Sequence, residues 1–121
     1  MALPVNHVLN EQTIWGQVAS VSSTSVVYLR APFRGKIVKV GNTLYSASST
    51  ADATCTTSIA GTNITGGVIT DTQSGSAAGS TFTAVPTAAN TCNEDDYVGF
   101  TFSGSGTAGG PVTVWAVVRA V

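Results

Sequence analysis

Charge is scarce in this chain: of 121 residues only 9% are Asp, Glu, Lys or Arg, with five basic against six acidic and a formal net charge of -1. So few cations exclude the broad basic footprint by which a protein neutralises nucleic-acid phosphates. The shortage of charge does not signal disorder. Disordered chains pair high net charge with low hydrophobicity, whereas here 43% of residues are hydrophobic and the mean hydropathy is +0.27. Long apolar runs are also lacking, and none approaches the roughly 20 residues that span a bilayer. The start, Met1-Ala2-Leu3-Pro4, has no basic region followed by an apolar stretch, so neither a membrane span nor a secretory signal is expected. Cysteine is limited to Cys55 and Cys92, too few for a disulfide framework and without partners at zinc-ligand spacing. Synthesis in a reducing cytoplasm and two buried free thiols are the expectation. Asn63-Ile64-Thr65 spells a glycosylation acceptor, a match that a threonine-rich chain supplies by chance.

Histidine is rarer still. His7 is the single one, and no Gly-x-Ser-x-Gly or reactive cysteine context accompanies it, so no catalytic set is expected and no cofactor is implied. Glu94-Asp95-Asp96 is the one acidic cluster. Consecutive carboxylates alternate in direction when extended, and the spacing is not that of a calcium loop, so the expectation is a charged turn before a strand. Gly104-Ser105-Gly106 and Gly109-Gly110 lack the following Lys and helix that a phosphate loop needs. Arg30, Arg34, Lys36 and Lys39 place four of the five basic residues within ten positions, which reads as a local positive patch and a docking edge for acidic groups. Trp15, Trp115, Phe33, Tyr28 and Tyr45 offer the makings of a sugar-stacking platform, but core packing is the simpler expectation for most of them.

What is abundant is period-two patterning. Val112, Val114, Ala116 and Val118 share one face while Thr113, Trp115, Val117 and Arg119 share the other, because successive strand side chains point oppositely. Both faces are apolar enough to predict a strand covered by a second sheet inside and by something else outside. Val98, Phe100 and Phe102 alternate in the same way, and the glycine-rich loop 104–110 reads as a flexible hairpin joining the two strands. Residues 26–31 and 36–45 read as strands around Pro32-Phe33-Arg34-Gly35. Residues 55–59 and 64–72 read as a hairpin turning at Gly61-Thr62-Asn63, with a kink at Gly66-Gly67. A short strand at 82–85 and a long connection at 86–96 complete a set of about eight strands at sandwich spacing. Leu3, Val5, His7 and Leu9 alternate around Pro4, which predicts an extended N-terminal arm over residues 1–15, either an edge strand of its own domain or a contact with another chain, ahead of a single β-sandwich domain over 16–121.

A series of short motifs carries a resemblance. Ala31-Pro32-Phe33-Arg34-Gly35-Lys36-Ile37, Thr50-Ala51-Asp52-Ala53-Thr54 and Ile59-Ala60-Gly61-Thr62-Asn63-Ile64-Thr65-Gly66-Gly67 come first. Ser74-Gly75-Ser76-Ala77-Ala78-Gly79 and Pro86-Thr87-Ala88-Ala89-Asn90-Thr91 follow. In this order they resemble the head decoration, or cement, proteins of tailed bacteriophages. Two departures stand out: Asp95-Asp96 where Gly-Asp commonly introduces the next strand, and Cys92 where an aliphatic residue is usual. The resemblance implies a jelly-roll-like β-sandwich without catalytic activity. It would be made in the host bacterial cytoplasm and bound, as a homodimer or homotrimer, to the outer capsid surface at junctions between subunits of the major capsid protein. The interface candidates are Leu3, Val5, His7, Leu9 and Trp15 in the arm and Arg30, Arg34, Lys36 and Lys39 on the basic segment. No nucleic acid, membrane or metal is implied. A carbohydrate- or receptor-binding module of a phage tail or adhesin is the alternative; it predicts an aromatic and carboxylate cluster at one loop end.

Overall fold

The computed structural model describes residues 10–21, 25–104 and 111–121. Leu3, Val5, His7 and Leu9 lie outside them, as does most of the glycine-rich loop. Every element among the described residues is a strand: β1 (Glu11–Val18), β2 (Val26–Arg30), β3 (Gly35–Thr43), β4 (Ala53–Ile59), β5 (Thr62–Asp71), β6 (Thr81–Ala84), β7 (Thr91–Cys92), β8 (Tyr97–Gly104) and β9 (Val112–Ala120). One sheet runs β1-β9-β3-β6, with β7 also paired to β3, and the other runs β2-β8-β4-β5. All pairings are antiparallel. Setting β7 aside, strands from the two ends of the chain pair first and those from its middle last. A long antiparallel ribbon rolled into two facing sheets has this order, the jelly-roll form of a β-sandwich.

The alternation read from the sequence decides which side chains fill the space between the sheets. Val98, Phe100 and Phe102 of β8 face Val112, Val114, Ala116 and Val118 of β9, all fully buried. Each such side chain contributes about 1.5–3 kcal/mol of apolar burial. β3 shows how a local irregularity re-phases the pattern. Its register with β9 shifts between Ile37 and Lys39, so Ile37 and Val40, three apart, both point into the core, as a bulge allows. Cys55 and Cys92 are free and buried, as expected.

Two expectations about connectivity are corrected. β8 and β9 lie in different sheets, so they are not the two arms of a hairpin. β2 and β3, on either side of Pro32 to Gly35, likewise lie in different sheets. Residues 11–15, assigned to the arm, are the first half of β1, paired from Glu11↔Arg119 to Trp15↔Trp115 with β9. Turn chemistry marks where the chain bends, but only the burial of both apolar faces decides whether the next strand pairs beside the last or opposite it.

β4 and β5 do form a hairpin, and its turn is Ala60-Gly61, between Ile59↔Thr62. Both turn residues have positive φ, 49° and 89°, as a two-residue type I′ turn demands. Ala60→Asn is expected to raise stability by about 0.5–1 kcal/mol, since Asn tolerates the left-handed region better than Ala; urea denaturation reads the gain. Beyond the turn, Thr56↔Val68 and Ser58↔Asn63 leave one β4 residue opposite four of β5, and Gly66 has φ 78°. The predicted kink is therefore present. The buried Thr57 Oγ1 pins it by donating to the Gly67 carbonyl at 2.7 Å.

Candidate functional site

Each sheet turns an outer face to solvent, and the two faces differ in chemistry. On the β1-β9-β3-β6 sheet the pairing register sets side chains in rows. Trp15, Trp115, Gly41 and Thr83 form one row, and Gln17, Thr113, Thr43 and Thr81 the next. Thr13, Val117 and Lys39 form a third, and Glu11, Arg119 and Lys36 a fourth. Trp115 lies across Gly41: a Cβ there would overlap the indole and stand 2.8 Å from the Phe82 carbonyl oxygen. Trp15 beside it is 65% exposed. Thr43 and Thr81 share a hydroxyl hydrogen bond of 3.0 Å, and Arg119 Nε donates to Glu11 Oε2 at 2.7 Å. The result is a threonine-rich surface with two indoles at its middle and its charges, Glu11, Arg119, Lys36 and Lys39, in the two rows on one side of them. The covering expected on the outer side of β9 is met only in part, since Thr113, Trp115 and Val117 remain half-buried.

The outer face of the β2-β8-β4-β5 sheet carries a tyrosine pair. Tyr28 sits opposite Gly99 and Arg30 opposite Tyr97. The two rings meet edge to face, with centroids 5.4 Å apart and planes at 84°. Gly99 leaves room under Tyr28: a Cβ there would lie 2.8 Å from Ser58 Oγ and 3.3 Å from the ring, so one of them would have to shift. The rings line a cavity of about 470 Å³. Beside it, Arg30 pairs with Asp95 and, at 3.8 Å, with Glu94. The acidic cluster is thus a charged turn, in which Asp96 Oδ2 accepts the Asn93 backbone N–H at 2.8 Å. Asp95 has φ 72°, a conformation that favours glycine.

Neighbourhood in sequence did not survive as one basic patch. Arg30 belongs to the tyrosine face and is paired with acids, Arg34 is exposed in the β2–β3 turn, and Lys36 and Lys39 lie on the indole face. Core packing, expected for most of the aromatics, fails for three of them: Trp15, Tyr28 and Tyr45 are each 65% exposed. Phe33 alone of the five packs against the core cluster as a partly buried side chain. Tyr97 was not among the aromatic candidates, although its place out of phase with Val98, Phe100 and Phe102 put it on the outer face, where it is 45% exposed.

Between the sheets lies a polar group that alternation gave no reason to expect. Asn42 of β3 and Asp71 of β5 are fully buried, and no hydrogen bond satisfies their side-chain nitrogen and oxygen atoms. Burial pushes the Asp71 carboxyl up to about 6, and the nearby Asn42 amide opposes this only in part. The Cys55 thiol is pushed far above its usual range by burial and then by the Asp71 charge, which leaves it protonated and unreactive. Burial also raises Cys92. Among the described residues no group of three or more His, Cys, Asp or Glu is placed to hold a metal ion, and no helix is long and apolar enough to cross a membrane.

No model of a known protein family matches the sequence, and no protein of curated function matches it. Solved structures do share the architecture. A chain of the cyanophage Pam1 capsid asymmetric unit superposes with a TM-score of 0.56 at 14% identity, over 93% of this chain and 86% of that one. A glycoside hydrolase family 43 arabinoxylan arabinofuranohydrolase from Bacillus subtilis gives 0.58 at 15% identity, over 83% of this chain. This chain spans only 20% of that enzyme's length. The carbohydrate-binding module CBM36, solved with calcium and xylotriose, gives 0.50 at 12% identity, over 88% and 87% of the two chains. At such identities the likeness is one of fold: the chain is an all-β sandwich of two antiparallel sheets, similar both to a phage capsid component and to a carbohydrate-binding module.

Proposed function

We propose that this chain is a structural protein of a phage virion that docks on the outside of the assembled head, at junctions between major capsid protein subunits, and stabilises the shell. The observation that carries the reading is the indole face. Trp15 and Trp115 stand side by side on a sheet surface mainly of threonines and valine, with Lys39 in the adjacent row as the nearest charge. Such a surface suits an interface with an aromatic centre and a polar rim. The motif series from Pro32 to Thr91 and the fold shared with a cyanophage capsid component support the same reading. No reaction is needed: a protein that binds only the assembled shell stabilises it by mass action, and a dimer or trimer adds avidity. In this reading the arm with Leu3, Val5, His7 and Leu9 reaches a neighbouring subunit by adding to its sheet. A second role, recognition of carbohydrate, is favoured by the aromatic and carboxylate cluster of Tyr28, Tyr97, Glu94 and Asp95 at one loop end. The two are compatible, because that cluster lies on the opposite sheet.

Heads stripped of the protein and re-incubated with it test the first role. Stoichiometric rebinding with a raised rupture temperature is expected. Trp15→Ala should weaken rebinding at least tenfold while leaving the melting temperature of the free protein nearly unchanged, since Trp15 is exposed and hot-spot tryptophans cost about 2 kcal/mol or more on truncation. Lys39→Ala should change affinity only modestly, as rim charges do. Absence of rebinding, or rebinding that Trp15→Ala leaves intact, would remove the support for this face.

A further inference from the structure

We infer that the open hollow bordered by Tyr28 and Tyr97 binds a neutral pyranose ring of a glycan; the inference rests on the carbohydrate-recognition role and assigns it a site and a ligand class. Three features of the hollow lead to this ligand. Its shape comes first. The two rings meet edge to face, at 84° and 5.4 Å, and together border an open hollow of about 470 Å³, within the usual size of small-molecule sites. A saturated six-membered ring offers a C–H-bearing face to one aromatic plane and an edge to the other. Both tyrosines are exposed, Tyr28 by 65% and Tyr97 by 45%, so the stacking surface is open.

The second feature is the sheet beneath. Gly99 holds no side chain under Tyr28, and Ser58 Oγ lies where a Cβ would point. Asn63 is opposite Ser58 on β5 and exposed. The Tyr97 hydroxyl lies against the β4–β5 turn, 3.2 Å from the position a Cβ on Gly61 would take. Hydroxyl and amide groups of this kind are donors and acceptors at once, which matches a ring bearing several hydroxyls.

Charge balance is the third. The charges beside the hollow are Arg30, Glu94 and Asp95, joined as ion pairs. A phosphate or carboxylate ligand would have to compete with two carboxylates for one guanidinium. Sugar hydroxyls instead can donate to the carboxylates and accept from the guanidinium without breaking the pairs. Burial of a tyrosine-stacked ring with few rotors frozen on the protein side gives weak, specific binding.

Saturation-transfer NMR on the intact protein tests the assignment, with cellotetraose, xylotriose, a galactose disaccharide and an N-acetylglucosamine trimer as probes and a proline decamer as the competing ligand class. At least one saccharide is expected to bind in the millimolar range or tighter and to shift the Tyr28 and Tyr97 ring resonances. Tyr28→Ala should weaken it at least tenfold and Tyr28→Phe less than threefold. Trp15→Ala should leave it unchanged. Saccharide binding that survives Tyr28→Ala would overturn the site but not the carbohydrate role. No saccharide binding, or binding of the proline decamer alone, would overturn both.

Discussion

The isolated domain is expected to lose stability as the pH rises from about 4 to about 7, by up to about 3 kcal/mol, and Asp71→Asn is expected to abolish that loss. The Asp71 carboxyl is fully buried and rises from an ordinary 3.8 to about 6 on folding, chiefly through burial. Between those two values the folded state holds a proton that the unfolded chain has released. Unfolding is then favoured progressively across that window and levels off above about 6, because stability falls wherever the native state binds more protons. The size follows from 1.36 kcal/mol per tenfold difference in proton affinity. The groups facing the carboxyl are the Asn42 amide from β3 and the Cys55 thiol from β4, which stays neutral throughout. Urea denaturation at pH 4.5 and 7.5 decides the matter. Asp71→Asn should gain most over the parent at pH 7.5, with the gap narrowing to about 1 kcal/mol at pH 4.5. Parallel pH profiles for the two would show that Asp71 is ionised in the folded domain.

Gly41→Ala is expected to destabilise the protein by about 2–3 kcal/mol, lowering the melting temperature by roughly 10 °C for a domain of this size. A Cβ at position 41 would overlap the Trp115 indole and approach the Phe82 carbonyl oxygen to 2.8 Å. The indole can tilt away, but the carbonyl belongs to β6, which is hydrogen-bonded to β3 and cannot yield cheaply. Combining Gly41→Ala with Trp115→Ala separates the two causes. The double variant should recover the part of the penalty that comes from the ring, and the coupling energy of the cycle measures it. A tilted Trp115 should also change the tryptophan fluorescence and weaken rebinding to stripped heads. A Gly41→Ala protein with unaltered stability and emission would mean that Trp115 does not rest on β3.

Several features of the molecule were legible in residue order alone. The period-two runs at Val98 to Phe102 and Val112 to Val118 placed β8 and β9 and the core face of each, because a pleated strand has one way to alternate and phenylalanine and valine have one medium to prefer. The glycines at 66 and 67 located the kink in β5, since few other residues adopt the conformation found there. The scarcity of charge and the two isolated cysteines bounded the chemistry. Tertiary structure decided the rest. Whether consecutive strands pair or face each other depends on which apolar faces find one another across the sandwich, a non-local choice that put β8 and β9 in different sheets. It also divided four neighbouring cations between two surfaces and left Trp15 and Tyr28 outside, although aromatic residues are ordinarily good core material. The burial of Asn42 and Asp71 followed from where the two sheets close over them. Alternation specifies to which side of its own strand a residue points; only the packed pair of sheets determines what waits on that side.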